Sequence, residues 1–305
     1  MGAETTPRPV LVATDLSDPA REAIRQAGQY AKERRAKLVA LHVAQNLTPI
    51  HPVFPHLSQR DVNDEIRIGR VLTDRLSDQV YATVDRDVPA DVVVDFGVPD
   101  VAIVRKAEEM RSQLVVVGSR GATGLERLML GSVADRVLRH AHCPVLVARQ
   151  GGNRGTILAA TDLSDPALPA VEAAARLARA RSQRLTLIHV LEAPSHLLAG
   201  LAPLGPIPNV PDDTTIAQVR AAATTMLEDM LTRFEVEGDC EVVLSHRPAA
   251  AIVAKGDEID AGLIVAGTHG HSGIFRMTLG SVAERVSSQA RCSVLVVRRA
   301  EPDRA

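Results

Sequence analysis

The chain of 305 residues is 46% hydrophobic and 24% charged, the balance of a folded globular protein, which excludes disordered, collagen-like and coiled-coil classes. Lys and Arg number 35 against 37 Asp and Glu, for a net charge of -2, with 2% aromatic residues and no Trp, so nucleic acid finds neither a basic field nor stacking platforms. Cys143, Cys240 and Cys292 are too few for a disulfide framework or a four-ligand zinc site, no apolar run approaches the roughly 20 residues of a membrane span, and residues 1–9 lack a signal-peptide core, so the expectation is a cytoplasmic protein without a membrane anchor. Gly2 with Thr6 matches the loose N-myristoylation pattern, a pattern short enough to arise by chance in a disordered start.

In chain order, short β-branched runs at residues 10–13, 38–43, 92–96, 114–117 and 145–148 alternate with longer amphipathic stretches. Ser17-Asp18-Pro19 is expected to open the first helix, with a polar cap followed by Pro in the first turn, where a missing N–H costs nothing. The segment Ala13-Thr14-Asp15-Leu16-Ser17-Asp18-Pro19-Ala20 then recurs letter for letter from Ala160 to Ala167. Leu130-Gly131-Ser132-Val133-Ala134 likewise returns as Leu279-Gly280-Ser281-Val282-Ala283. A repeat this long is a whole domain, which divides the chain into 1–150 and 151–305. In the second copy the strands are expected at 156–160, 185–190, 241–244, 263–266 and 294–297. Nearly continuous apolar strands, each followed by a helix, predict an α/β fold: two tandem, doubly wound parallel-sheet domains of five main strands each. Such sheets bind ligands beyond the carboxyl ends of their strands.

Glycines stand at those ends. Gly118-Ser119-Arg120-Gly121 follows the fourth strand, and nine residues later Gly131-Ser132-Val133 opens a helix; Gly267-Thr268-His269-Gly270 and Gly280-Ser281-Val282 repeat the spacing. Glycine lets a ligand approach the backbone, and a helix start offers unpaired N–H groups and a positive dipole end, a combination that favours phosphate. Arg127 and Arg276 persist inside the two loops, as phosphate partners or as solvated surface cations. The competing reading is that the glycines turn the chain and Ser132 and Ser281 cap helices. Neither a P-loop nor a Gly-x-Gly-x-x-Gly dinucleotide fingerprint is present.

With the Asp that ends strand one, the His-Val that ends strand two and the closing Cys-Pro-Val-Leu-Val or Cys-Ser-Val-Leu-Val, the chain resembles the universal stress protein family, in a tandem form and over nearly its whole length. The resemblance implies an adenine nucleotide alpha hydrolase-like, Rossmann-like fold and, from the glycine spacing, the ATP-binding branch, with ATP as ligand, alone or with Mg. It places Asp15 and Asp162 beside the nucleoside, and Val43 and Val190 against adenine. Gly118, Gly121, Gly131, Ser132 and Val133 then line ribose and phosphates in one site, and Gly267, Gly270, Gly280, Ser281 and Val282 line them in the other, with Arg120 and His269 as further loop residues facing phosphate. The resemblance also implies pairing of the copies through residues 145–148 and 294–297, with a homodimer as a further assembly. One departure is that Gly97-Val98-Pro99 becomes His246-Arg247-Pro248, so the second site is expected to differ and to bind more weakly.

His269 and His271 have a spacing that suits a metal, against a phosphate-facing or solvated role. His140, His142 and Cys143 read as a helix end running into a strand, and His42 and His189 as structural histidines more than bases. No Gly-x-Ser-x-Gly elbow occurs and no Cys falls in a glycine loop, so no catalytic residue is assigned and hydrolysis is expected to be slow or negligible. Residues 46–57 and 192–213 read as covering loops or partner surfaces, and 201–210 as a contact patch or a linker. Two alternatives stand. One is an adenine-nucleotide-dependent transferase or hydrolase of the same fold group, against which the missing Ser-Gly-Gly-x-Asp-Ser and His-x-Gly-His signatures weigh. The other is a nucleotide-free interaction module.

Overall fold

The computed structural model describes residues 7–44, 62–119, 130–152, 155–192, 213–268 and 279–298. Contacts divide the chain into two compact units, Met1–Gln150 and Gly151–Ala305. In the first, strands β1 (Val10–Thr14), β2 (Leu38–Ala44), β3 (Ala90–Phe96), β4 (Leu114–Gly118) and β5 (Val145–Ala148) alternate with helices α1 (Ala20–Glu33), α2 (Val62–Tyr81), α3 (Pro99–Glu109) and α4 (Ser132–His140). The strands are parallel in the order β3-β2-β1-β4-β5.

The second unit repeats this plan with β6 (Thr156–Ala160), β7 (Leu185–Glu192), β8 (Gly238–Ser245), β9 (Ala261–Gly267) and β10 (Ser293–Val297). Its helices are α5 (Leu168–Arg181), α6 (Asp213–Arg233), α7 (Pro248–Glu258) and α8 (Ser281–Gln289), and its strand order is β8-β7-β6-β9-β10. The expected α/β class and tandem parallel sheets are thus observed. The outer strands β3 and β8 begin two or three residues earlier than their apolar runs, because backbone pairing continues where side chains are already polar.

Successive strand residues point to opposite faces, so burial of Val10, Leu11 and Val12 in a row requires cover on both sides of the sheet. Alpha-helix α1 packs on β1, β4 and β5, while α3 and α4 pack on each other. Small residues make the approach close: Ala23, Ala27 and Ala31 are buried on α1, and Ala170, Ala173, Ala174, Ala175 and Ala178 on α5. Leu11, Leu38, Leu114 and Leu146 fill the first core, and Ile157, Leu158 and Leu185 the second, each worth roughly 1.5–3 kcal/mol of transfer free energy. A core of aliphatic and alanine side chains explains how the fold forms with so few aromatic rings.

The carboxyl halves of the second strands leave this core. In β2 the first four residues are buried and His42, Val43 and Ala44 are half-buried; β7 repeats the pattern, with Glu192 exposed. Burial therefore falls off along the carboxyl halves of β2 and β7.

Candidate nucleotide site

At the end of β1 the chain turns through a compact hydrogen-bonded unit. The Leu16 N–H donates to Thr14 Oγ1 at 3.1 Å, and Asp15 Oδ1 accepts the Ser17 N–H at 3.1 Å and the Ser17 hydroxyl at 2.6 Å. These are side-chain-closed turns of the kind Thr and Asp form two residues ahead of themselves. The turn costs strain, since Leu16 sits at φ 64, a left-handed conformation that L-residues avoid by about 1 kcal/mol. The second copy reproduces every part: Leu163 N–H to Thr161 Oγ1, Ser164 N–H and hydroxyl to Asp162 Oδ1, and Leu163 at φ 66. The Ser17 hydroxyl is therefore spent on Asp15. Helix α1 has no side-chain cap, and its first turn closes on the Ser17 carbonyl, which accepts the Ala20 N–H at 3.1 Å. This corrects the expected polar cap at Ser17.

Beside this turn, His42 Nδ1 lies 2.9 Å from the Thr14 carbonyl oxygen, and His189 Nδ1 lies 2.9 Å from that of Thr161. A carbonyl only accepts, so Nδ1 carries the proton and the imidazoles tie β2 to β1 and β7 to β6. Both histidines have the structural role weighed in the sequence. Val43 and Val190 come next along their strands, half-buried.

On the other flank of β1, Ala13 pairs with Val117, and β4 runs on to Gly118. The Ser119 carbonyl accepts the Gly131 N–H at 2.9 Å, so the loop leaving β4 returns to its own base before α4 begins. Gly131 is the N-cap of α4 and Ser132 its first helical residue, with no side-chain cap. The first intrahelical bond runs from Asp135 N–H to the Gly131 carbonyl at 2.9 Å. Helix geometry then leaves the N–H groups of Ser132, Val133 and Ala134 without an intrahelical acceptor, and none is found for them among the described residues. In the second copy Thr268 and Gly280 make the same closure at 2.8 Å, Glu284 N–H bonds the Gly280 carbonyl at 3.0 Å, and Ser281, Val282 and Ala283 are left likewise. A Cβ on Gly280 would stand 2.8 Å from the Thr268 carbonyl oxygen, which explains the glycine there. Capping by Ser132 or Ser281, the competing sequence reading, is not what the structure contains.

The parallel register therefore brings to one end of the first sheet Val43 on β2, Asp15 just past β1, Gly118 at the end of β4, and Gly131, Ser132 and Val133 at the start of α4. Asp162, Val190, Gly267, Gly280, Ser281 and Val282 share the corresponding end of the second. Arg120, Gly121, Arg127, His269, Gly270, His271 and Arg276 lie outside the described residues, as do most of the two segments following β2 and β7. Among the described residues no group of three His, Cys, Asp or Glu side chains is placed to hold a metal ion. At the third strand the copies diverge: Gly97 takes φ 138, and where Val98, N-cap of α3, has φ -84, its counterpart Arg247, N-cap of α7, has φ -131 and donates its N–H to the Ser245 hydroxyl at 3.1 Å.

Two contacts escaped the sequence reading. Gln79 of α2, buried, accepts the Thr14 hydroxyl proton at 3.2 Å and donates to the Ser17 carbonyl at 3.1 Å. Arg136 of α4 pairs with buried Asp100 of α3, Nε to Oδ1 3.1 Å. The available signal for Gln79 was a polar residue three positions after Leu76, on the apolar stripe of its helix.

The fold and its paired strand ends define a tandem α/β protein with, in each half, a helix start whose first N–H groups have no acceptor among the described residues. The model of the universal stress protein family matches residues 7–149 and 153–298. The chain belongs to the universal stress protein family. It is 34% identical to universal stress protein YxiE of Bacillus subtilis over 147 residues, 46% of this chain and 97% of that protein. It is 26% identical to universal stress protein Rv2623 of Mycobacterium tuberculosis over 298 residues, 95% of this chain and 96% of that protein. The crystal structure of a universal stress protein from Archaeoglobus fulgidus superposes with a TM-score of 0.66 at 23% identity, covering 95% of this chain and 96% of that one. Among the described residues no helix is long and apolar enough to cross a membrane.

Proposed function

We propose that each half of this protein binds one ATP and that the chain acts as a cytoplasmic, stress-linked regulator whose ATP turns over slowly or not at all. The observation that carries this reading is the twofold occurrence of one construction: a glycine tied back to the preceding strand, followed by three helix N–H groups with no described acceptor. Such a helix start accepts phosphate through backbone donors and the dipole. The near-neutral overall charge is no obstacle, because the donors are local. Val43 and Val190 offer apolar contact to adenine at the neighbouring strand ends, and Asp15 and Asp162 stand between base and phosphate positions, where a Mg ion accompanying ATP would find a carboxylate. Asp15 and Asp162 already spend Oδ1 on a serine, which suits a fixed ligand better than a proton-transferring base.

The test is to denature purified protein and identify and count the nucleotide released, then to repeat the measurement with Gly131→Ala and Gly280→Ala. The expected result is close to two adenine nucleotides per chain, with each substitution removing one. No released nucleotide, together with no ATP binding by calorimetry, overturns the proposal and leaves a nucleotide-free interaction module.

A further inference from the structure

We infer that His42 and His189 are positioning residues of the two sites, each holding the turn after strand one against the end of strand two through a single hydrogen bond to the backbone. The inference rests on the ATP reading above and concerns how two walls of each site are kept in place before ligand arrives.

The bond joins two residues that each stand one place before a proposed ligand position. His42 precedes Val43 on β2, and its Nδ1–H donates at 2.9 Å to the carbonyl of Thr14, which precedes Asp15. His189 and Val190 on β7 stand in the same relation to Thr161 and Asp162, again at 2.9 Å. Thr14 is the last residue of β1 and the register partner of His42. In the second copy the Thr161 N–H donates to the Ile188 carbonyl at 3.0 Å while the Thr161 carbonyl accepts from His189, so both polar groups of the residue before Asp162 are tied to β7.

Beyond these carbonyls the chain leaves the sheet and enters the strained turn, with Leu16 at φ 64 and Leu163 at φ 66. The histidine bond therefore pins the backbone at the point where sheet pairing stops holding it. In the first copy Gln79 engages the Thr14 hydroxyl and the Ser17 carbonyl rather than the Thr14 carbonyl, so it does not duplicate the bond from His42. The rings are half-buried, and donation through Nδ1 fixes their tautomer and orientation. Without the bond the turn carrying the aspartate drifts relative to the valine, and binding spends part of its free energy on restoring that relation. One neutral hydrogen bond sets the scale at up to about tenfold in affinity.

The experiment is calorimetric titration of the full, nucleotide-stripped chain with ATP, using Gly280→Ala to read the first site and Gly131→Ala to read the second. His42→Phe keeps a planar ring and removes the donor, and should weaken the first site by about tenfold. His189→Phe should do the same at the second. His42→Asn and His189→Asn return an amide N–H close to the position of Nδ1 and should recover most of the loss, a rescue that a space-filling role does not give, because Asn is smaller than Phe. In nucleotide-free protein, hydrogen exchange at the Leu16 and Ser17 amides should quicken in His42→Phe and slow again in His42→Asn. Nitrogen-15 spectra of the wild-type chain, which depend on no variant folding, should show both neutral rings protonated on Nδ1 rather than Nε2. Protonation on Nε2, ATP affinities indifferent to the Phe substitutions, or Asn variants no better than Phe overturn this inference and leave the ATP reading standing. Absence of ATP binding at both wild-type sites overturns both.

Discussion

Arg136 reaches from the second turn of α4 to Asp100 at the start of α3, placing Nε 3.1 Å from Oδ1, with the Asp100 side chain 11% exposed and that of Arg136 50% exposed. Asp100 also lies in the first turn of α3, where a carboxylate favours the helix dipole. The pair thus fixes the helix whose start carries Gly131 and Ser132 against its neighbour. In the second copy Ala249 and Arg285 stand at the matching places in α7 and α8.

Replacing Asp100 with Ala should therefore destabilise the protein by about 1–2 kcal/mol, combining the lost pair with the lost dipole contact. Ala249→Asp should do the reverse in the second copy, by at most about 1 kcal/mol, through pairing with Arg285. Urea unfolding of the full chain reads both, and an Asp100→Ala protein with an unchanged midpoint would refute the assignment.

Substituting Gly280 by Ala puts a Cβ 2.8 Å from the Thr268 carbonyl oxygen. Either the Gly280 N–H bond to that oxygen breaks or the helix start shifts, at a cost of about 1–3 kcal/mol. Thermal unfolding in the absence of nucleotide should register the loss.

Leu16 and Leu163 occupy the left-handed region at φ 64 and φ 66. A β-branched side chain tolerates that region less than leucine, so Leu16→Val and Leu163→Val should each cost more than about 1 kcal/mol although valine is apolar. Leu16→Asn, which accepts left-handed backbone, should be milder. Urea titrations that rank valine as the milder change would contradict the turn geometry described above.

The Cys240 thiol on the outer strand β8 is half-buried, and burial, with the negative charges of Glu228 and Asp239, pushes its pKa up to about 11. The folded protein thus favours the protonated thiol. That preference is fully present below the ordinary cysteine pKa and is lost as pH rises through the window from there to about 11. Iodoacetamide should label Cys240 slowly at pH 8 in the folded chain and quickly after unfolding, with the folded-state rate climbing only as the pH nears 11. Mass spectrometry of the labelled peptide tests this.

Much of the site was legible in one dimension because its parts are backbone devices tied to particular residue types. Gly131 and Gly280 announce close approach, and the repeated Thr-Asp-Leu-Ser announces a turn, since those side chains bond two residues along the chain whatever surrounds them. A serine before a helix satisfies several local geometries equally well, which is why a cap was expected near Ser17 and stood as the competing reading for Ser132. Only the observed bonds distinguish them: Ser17 binds Asp15, and Ser132 is the first residue of the helix whose N-cap is Gly131.

The sequence by itself determined the duplication, the parallel α/β class and the strand ends on which the glycine and Thr-Asp-Leu-Ser motifs fall, because apolar periodicity and an internal repeat are properties of residue order. Only the tertiary structure decided that Gln79, 65 residues from Thr14, closes the first turn, and that Arg136 meets Asp100 across two helices. Contacts between distant segments depend on helix phase and strand register in three dimensions. That is why the Gln79 contact could not be read from the turn sequence, which is identical in the two copies, Ala13 to Ala20 and Ala160 to Ala167.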